Sequence, residues 1–220
     1  MLKQNNRNKL KGQMHARGLN FNKALGQNFL VDDSILDQIV DAAQIDSDTN
    51  VLEIGPGAGA LTAKLAQAAK KVTAVEIDAG LIPLLNENLA DYQNVHIVHG
   101  DIMDINLKEL FDREFSDGTV KVVANLPYYI TTPIVMKLLE ENPGFESMVI
   151  MVQKEVAQRL TAQPGTKNCG AITYSVNYYC ETETIVDVPP EAFVPPPKVW
   201  SSVIRLKMRA CPPVEVLDKQ

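Results

Sequence analysis

The sequence predicts an α/β fold with a doubly wound, mostly parallel sheet of seven strands that ends in an antiparallel hairpin. Three observations support this fold class. Short apolar runs alternate with helical patterns between about residues 33 and 152, and a glycine-rich loop follows the first run. After residue 180 the pattern becomes β-rich, with a proline-rich turn between two strand-like segments.

Five short apolar runs are predicted to be the parallel strands, because strands covered by helices on both faces are apolar throughout. They occupy residues 51–54, 72–76, 95–98, 120–124 and 147–152. Apolar residues at helical spacing separate them, beginning with Ile35, Leu36 and Ile39 behind a possible cap at Asp33 or Ser34. Thr132 and Pro133 are a typical helix start. Segments 181–188 and 200–208 are predicted to form the hairpin at the sheet edge.

The overall composition is that of a globular domain, with 45% hydrophobic and 22% charged residues. No apolar run is long enough for a membrane span, and the N-terminus lacks the apolar core of a signal peptide. Cys169, Cys180 and Cys211 form no CxxC pair, which favours reduced thiols in a cytoplasmic protein. The histidines are scattered, so we expect no metal site.

The charge is unevenly distributed, although the formal net charge is −6. Residues 1–23 hold six basic side chains and no acidic one, which leaves 15 basic and 27 acidic residues in the remainder. We expect residues 1–23 to be a flexible basic arm. Its charge is compatible with contact to nucleic-acid phosphates or with a solubilising terminus, and composition alone does not decide between them.

A nucleotide site is predicted at the carboxyl ends of the strands. The loop from Glu53 to Gly59 follows the first strand, and Glu76, Asp101 and Asn125 each follow a later one. Open α/β sheets bind ligands along this edge. Glu76 is placed to accept hydrogen bonds from two ribose hydroxyls, and Asp101 can accept one from the adenine amino group.

The loop differs from the NAD fingerprint, since its glycines are spaced G-x-G-x-G instead of G-x-G-x-x-G. It also offers no additional donors for a pyrophosphate. An adenosine ligand without phosphates fits better, which indicates S-adenosylmethionine as the cofactor.

Asn125-Leu126-Pro127-Tyr128 follows the fourth strand and can bind a flat, amine-bearing ring. The Asn125 amide and the Leu126 carbonyl can accept hydrogen bonds from the amine, and Tyr128 can stack on the ring. Pro127 fixes the backbone and has no N–H to compete.

The sequence resembles the KsgA/Dim-type ribosomal RNA adenine dimethyltransferases. The matching motifs are Lys23-Ala24-Leu25-Gly26-Gln27-Asn28-Phe29-Leu30, the Glu53–Gly59 loop, Asn125-Leu126-Pro127-Tyr128-Tyr129-Ile130 and Phe193-Val194-Pro195-Pro196-Pro197-Lys198-Val199. The resemblance covers about residues 23–205. It implies a Rossmann-like class I methyltransferase domain over 24–210 that dimethylates the N6 amine of adjacent adenosines in small-subunit rRNA, within a pre-ribosomal particle and as a monomer.

The resemblance also implies roles for individual residues. Gln27, Asn28 and Leu30 would close over the methionine part of the cofactor, and Gly55 and Gly57 would lie against it. Glu76 would bind the ribose and Asp101 the adenine. Asn125 would lie between cofactor and substrate, with Leu126, Pro127, Tyr128 and Phe193 around the target base.

Three alternatives to this function stay open. An Erm-type 23S rRNA adenine methyltransferase has the same chemistry, but those enzymes typically carry Ile-Pro-Tyr after the asparagine and tend to be basic. A non-catalytic ribosome-assembly or transcription factor could use the same scaffold, although the intact motif at Asn125 argues against lost catalysis. An NAD oxidoreductase is a more distant alternative.

The chain departs from the family pattern at its end. Family members continue into a small helical C-terminal domain, whereas residues 211–220 read as a polar stub. We expect a truncation that preserves the cofactor site and weakens the hold on RNA.

Overall fold

A computed structural model describes residues 2–22 and 25–214 of the chain. Lys23 and Ala24, which belong to the first matching motif, and residues 215–220 of the predicted stub lie outside the described residues.

The described residues form nine strands. They are β1 Phe29–Leu30, β2 Thr49–Ile54, β3 Lys71–Glu76, β4 Val95–His99, β5 Thr119–Asn125, β6 Ser147–Gln153, β7 Cys180–Val188, β8 Phe193–Val194 and β9 Ser201–Met208. Seven of them build the main sheet in the order β4-β3-β2-β5-β6-β9-β7, and β1 pairs with β8 in a separate two-stranded sheet.

Eight α-helices surround the sheets within the described part of the chain. They are α1 Leu2–Ala16, α2 Asp33–Ala43, α3 Ala60–Ala68, α4 Ile82–Asn88, α5 Leu107–Glu114, α6 Thr131–Glu141, α7 Lys154–Leu160 and α8 Ala171–Tyr179. A short 3-10 turn, Pro190–Ala192, precedes β8. None of the helices in the described part of the chain combines the length and the apolar character needed to cross a bilayer.

The predicted sheet is present, with one difference in the order of its last strands. Strands β2 to β6 pair in parallel, and β9 pairs antiparallel with both β6 and β7. The second hairpin strand, β9, therefore lies inside the sheet, and β7 forms the edge. Strands β2, β3 and β4 are added toward one edge of the sheet, and β5 and β6 toward the other. The order of the strands therefore switches between β2 and β5, which creates the crevice where open α/β sheets bind ligands.

Hydrophobic cores cover both faces of the sheet. On one face, Leu107, Leu138 and Val176 of α5, α6 and α8 pack against the buried strand residues. On the other, Leu36 of α2 and Leu65 of α3 do so. This arrangement is the doubly wound architecture that the alternating pattern predicted.

Most of the segment expected to be a flexible basic arm is helical in the structure. Residues 2–16 form helix α1, and its Leu10 and Met14 are buried against Phe29, Leu84 and Val194. Two apolar residues one helical turn apart are enough to fix the helix, because they meet a ready apolar surface. The basic side chains obscured this pattern in the sequence.

The small sheet ties the segment before α2 to the end of the domain. Phe29 pairs with Val194 and Leu30 with Phe193, and the Val31 N–H donates to the Ala192 carbonyl at 2.9 Å. This pairing holds residues 25–31 over the crevice between β2 and β5.

Candidate active site

A cavity of about 400 Å³ opens at the carboxyl edge of the sheet. Its volume lies within the range of roughly 300–1,000 Å³ that is typical of small-molecule sites. Four segments contribute most of its walls: residues 25–31, the glycine loop 55–61, Glu76 with Ile77, and residues 125–128. Helix α1 closes one side with Asn6, Lys9, Leu10 and Gln13.

The glycine loop has a backbone shape that requires glycine at two of its positions. Gly55 and Gly57 have φ values of 71° and 59°, in the left-handed region that other residues avoid. A Cβ atom at Gly57 would lie 2.7 Å from Cε1 of the Phe29 ring. The absence of that atom lets Phe29 pack directly on the loop and leaves the loop backbone facing the cavity.

Glu76 is buried and held by two backbone donors. Its Oε2 accepts from the Gly57 N–H at 3.0 Å, and its Oε1 accepts from the Asp78 N–H at 2.9 Å. Burial raises the pKa of Glu76, and the two hydrogen bonds oppose that rise. Each oxygen keeps a lone pair, so the side chain can accept two further hydrogen bonds from a ligand.

Glu53 is a second buried acid on the cavity wall and is only 1% exposed. Burial raises its pKa to about 8, and the neighbouring Glu76 adds to the rise. Its Oε2 has no hydrogen-bond partner within the described part of the chain. A buried polar atom without a partner is costly, and the raised pKa lets the Glu53 carboxyl remain neutral in this position.

The Asn125 side chain is oriented by the segment across the cavity. Its Nδ2 donates to the Asn28 carbonyl at 3.1 Å, which leaves Oδ1 as the acceptor toward the site. The Leu126 N–H donates to the Met151 carbonyl at 3.1 Å. No donor from the described residues reaches the Leu126 carbonyl. Two acceptors, Asn125 Oδ1 and the Leu126 carbonyl, are thus available within one turn.

Tyr128 lines the same cavity and is fixed at its far end. Its hydroxyl shares a hydrogen bond of 2.6 Å with Ser201 Oγ at the start of β9. Burial raises the pKa of Tyr128, and the Ser201 contact lowers it in part. The ring is therefore neutral and restrained, with a fixed plane for stacking.

Gln27 acts through a neighbour of Glu76. Its Nε2 donates to Asp78 Oδ2 at 2.6 Å, and its Oε1 accepts from the Asn22 N–H at 2.8 Å. Because the Asp78 N–H bonds Glu76, this contact links residues 22–28 to the end of β3.

The structure gathers most of the predicted site residues around one cavity. Those on its wall are Gln27, Asn28, Leu30, Gly55, Gly57, Glu76, Asn125, Leu126, Pro127 and Tyr128. Two are not on it. Asp101 follows β4, and its Oδ1 accepts from the Met103 N–H at 2.9 Å. Phe193 is fully buried in the core and pairs with Leu30.

Several wall residues had not been predicted as part of the site. Phe29 packs on Gly57, Ile77 is 41% exposed beside Glu76, and Glu53 lies beneath the loop. An exposed isoleucine directly after a strand-end acid was a usable signal for Ile77. The sequence offered no such signal for the α1 residues, because their approach to the cavity depends on tertiary packing.

The described residues contain no group of three or more His, Cys, Asp or Glu side chains placed to hold a metal ion. In the same residues all three cysteines are free.

Comparisons with known proteins agree with this geometry. The family model described as ribosomal RNA adenine dimethylase matches residues 18–220. The chain is 53% identical over 196 residues to ribosomal RNA small subunit methyltransferase A of Alkaliphilus metalliredigens, covering 89% of this chain and 68% of the relative. It is 51% identical over 214 residues to the protein of the same name from Bacillus cytotoxicus, covering 97% and 73%.

Two solved structures share the fold at appreciable identity. A dimethyladenosine transferase from Plasmodium falciparum is 35% identical with a TM-score of 0.73, over 82% of this chain and 63% of that one. The 23S rRNA methyltransferase ErmE is 31% identical with a TM-score of 0.72, over 86% and 73%. The chain therefore belongs to the ribosomal RNA adenine dimethylase family, and the predictions of a Rossmann-like methyltransferase fold and of an rRNA adenine dimethyltransferase are confirmed.

Proposed function

We propose that this chain uses S-adenosylmethionine to dimethylate the N6 amine of adjacent adenosines in small-subunit rRNA, and that Asn125 is where cofactor and base meet. The observation that carries the proposal is the oriented Asn125 amide, whose Nδ2 is engaged by the Asn28 carbonyl. Its Oδ1 is thereby left as an acceptor, and Asn125 and Tyr128 both lie on the cavity wall.

The cavity suits an adenosyl cofactor without phosphates. Glu76 offers one free acceptor on each oxygen, which matches the two hydroxyls of a ribose. Glu76, a buried acid on the cavity wall, disfavours a ligand that would place phosphates beside it. Gly55 and Gly57 let the ligand approach the backbone. Gln27, Asn28 and Leu30 cover it from the opposite side.

Asp101 would bind the adenine from outside the cavity wall. Asp101 lies two residues after His99, the last residue of β4. His99 is paired with Glu76 in the sheet, so Asp101 comes just after the position beside Glu76. Its Oδ1 holds the Met103 N–H, so Oδ2 is the acceptor for an exocyclic amine. Ile77 offers an apolar surface for the ring between them.

Bound S-adenosylmethionine supplies an electrophilic methyl group on a sulfonium. The obstacle is the N6 amine, whose lone pair is delocalised into the adenine ring. In the first transfer, Asn125 Oδ1 and the Leu126 carbonyl would accept its two hydrogens and favour a pyramidal nitrogen with its lone pair toward the cavity. In the second transfer, the monomethylated amine has one hydrogen left for one of these two acceptors. Positioning of this kind accounts for acceleration without a strong general base. In each transfer the nitrogen would gain the methyl group as the bond from that methyl to sulfur breaks, which leaves a neutral thioether, and the nitrogen would release one proton to water.

Tyr128 would hold the extruded base by stacking, which contributes roughly 1–3 kcal/mol per base. Its hydroxyl contact to Ser201 fixes the ring plane before the base arrives. Phe193 is completely buried, so its contribution would be positional: it pairs with Leu30 and thereby sets the segment that carries Asn28.

The small-subunit substrate is supported by the relatives at 51–53% identity, which carry that name. Fold alone does not separate it from the 23S alternative, since ErmE matches nearly as well as the Plasmodium enzyme. We further propose that a domain over residues 24–210 acts as a monomer on a pre-ribosomal particle in the cytoplasm.

The proposal is tested by incubating the chain with methyl-labelled S-adenosylmethionine and small ribosomal subunits that lack this modification. We expect labelled N6,N6-dimethyladenosine after digestion of the rRNA to nucleosides. Large subunits serve as the matched substrate control. Label in large-subunit RNA alone would favour the 23S alternative, and no label in either would support a non-catalytic role.

A further inference from the structure

A half-exposed tryptophan stands next to the residue that fixes Tyr128. Trp200 is 50% exposed, and its neighbour Ser201 bonds the Tyr128 hydroxyl at 2.6 Å. Ser201 pairs with Gln153, the last residue of β6, in the sheet register. Trp200 therefore lies at the same carboxyl edge as Asn125 and Tyr128, and it is not among the residues that line the cofactor cavity.

Basic side chains flank the indole ring. Lys154 Nζ lies 5.8 Å from the ring centre, and the Lys154 N–H donates to the Trp200 carbonyl at 2.9 Å. The same Nζ bonds Asp187 Oδ2 at 2.5 Å. Lys198 is exposed, and within the described residues no carboxylate pairs with it. A shallow groove runs between these groups, lined also by Gln153, Glu155, Gln158 and Val199.

The backbone that carries the indole ring is fixed, and the ring itself is half exposed. Backbone bonds fix the chain on both sides of Trp200, through the Lys154 N–H and through the β9 pairing. An exposed aromatic face on a fixed backbone is suited to stacking, because tryptophan offers a large flat surface with only two side-chain torsions. The adjacent lysines can neutralise phosphates. A protein partner would need more apolar area than Val199 and Trp200 offer.

We propose that Trp200, Lys154 and Lys198 form a platform for an unpaired RNA nucleotide that neighbours the target adenosine. This inference rests on the proposed function, because it takes the base at Tyr128 to belong to a single-stranded segment of rRNA. The neighbouring base stacks on Trp200, and its phosphates lie between the two lysines. The platform thereby adds affinity and fixes which nucleotide enters beside Tyr128.

Trp200 provides its own reporter, because it is the only tryptophan among the 220 residues. The intact chain is titrated with a short RNA whose two adjacent adenosines lie in an unpaired loop, and tryptophan emission is followed. We expect saturable quenching with the same midpoint as binding measured by filter retention. Trp200→Ala should weaken RNA binding between about 5- and 150-fold, and Trp200→Phe should recover most of it. Affinity for S-adenosylmethionine should be unchanged in both variants.

The lysines are tested by salt dependence. Lys198→Ala should lower the slope of log affinity against log salt by roughly one, and Lys154→Ala should lower it by less, because Lys154 already pairs with Asp187. Lys207→Ala is the matched control, because this exposed residue lies near the opposite end of β9. It should leave the slope close to that of the parent chain.

Three results would overturn the platform. They are RNA retention without any change in emission, equal RNA affinity of Trp200→Ala and the parent chain, and a loss that appears only with whole particles and not with free RNA. Failure to bind the loop RNA at all counts against it as well. None of these readouts requires methyl transfer, so intact quenching without methylation would contradict only the proposed function.

Discussion

The Asn125 side chain donates from Nδ2 to the backbone carbonyl of Asn28, 97 residues earlier in the chain, at 3.1 Å. This contact joins the end of β5 to the segment that covers the cavity. It also decides which way the Asn125 amide faces, since the donor is used and the acceptor is left for the ligand. One hydrogen bond thus couples cofactor enclosure to the orientation of the proposed catalytic group.

Asn125→Asp should disturb that coupling at almost constant volume. The aspartate cannot donate to the Asn28 carbonyl and would place negative charge against it. We expect a loss of about 1–3 kcal/mol in the free energy of unfolding and a weaker hold on S-adenosylmethionine. Urea denaturation and calorimetry measure the two effects. Asn142→Asp is the control, because there the side-chain oxygen only accepts from the Gly144 N–H. Equal effects of both substitutions would disprove the coupling.

Glu76→Ala should weaken S-adenosylmethionine binding by roughly 10- to 100-fold, since two hydrogen bonds to a charged acceptor are lost. Calorimetry measures the dissociation constant. Gln27→Ala removes only the Asp78 contact, so we expect a smaller loss from that variant. Unchanged affinity in Glu76→Ala would take Glu76 out of the cofactor site.

Gly57→Ala should both destabilise the fold and perturb the cavity. The new Cβ meets the Phe29 ring at 2.7 Å, and the φ of 59° is unfavourable for alanine. We expect a loss of about 2–4 kcal/mol, visible as a lower melting temperature. Gly165→Ala separates strain from contact, because its φ is 84° and nothing lies within 4 Å of the added atom. A similar loss in both variants would show that Phe29 simply moves aside.

Because the pKa of buried Glu53 is raised, we expect the stability of the fold to fall as the pH increases. Its pKa rises from 4.5 to about 8 on folding, so the folded state binds the proton more tightly than the unfolded state. The stabilisation is complete below pH 4.5 and is lost as the pH rises through 8. The contribution of Glu53 to the free energy of unfolding is therefore at most about 5 kcal/mol, from a shift of about 3.5 in its pKa.

Glu53→Gln should flatten this decline, which urea denaturation between pH 5 and pH 9 measures, roughly the window set by the two pKa values. Exposed Glu140→Gln should retain the parent profile. If Glu53→Gln and the parent chain lose stability in parallel, the buried acid is not protonated in the folded protein.

The sheet was predictable because its strands are locally encoded. The predicted run 51–54 became β2 Thr49–Ile54, and the other four parallel strands differ from prediction by a few residues at most. The position of β9 inside the sheet was not predictable, since a hairpin pattern in sequence does not say which of its strands meets β6. The pairing of two-residue β1 and β8 depends on contacts far apart in the chain.

The sequence predicted those site residues that lie at the ends of strands. Glu76 and Asn125 follow strands, and their place on the cavity follows from parallel pairing. Phe193 was expected beside the base, yet the main chain around β8 turns its ring into the core. Helix α1 was missed because its buried residues, Leu10 and Met14, are separated by polar and basic ones. The roles of the individual site residues stay predictions.

The most direct test of the account is methyl transfer by Asn125→Ala, measured on small-subunit rRNA with both substrates saturating. Affinities for S-adenosylmethionine and RNA are determined on the same preparation, so that transfer is separated from binding. The account predicts that both substrates still bind and that the transfer rate falls by about 100- to 1,000-fold, because the amine loses its oriented acceptor. Transfer at the rate of the parent chain would contradict it.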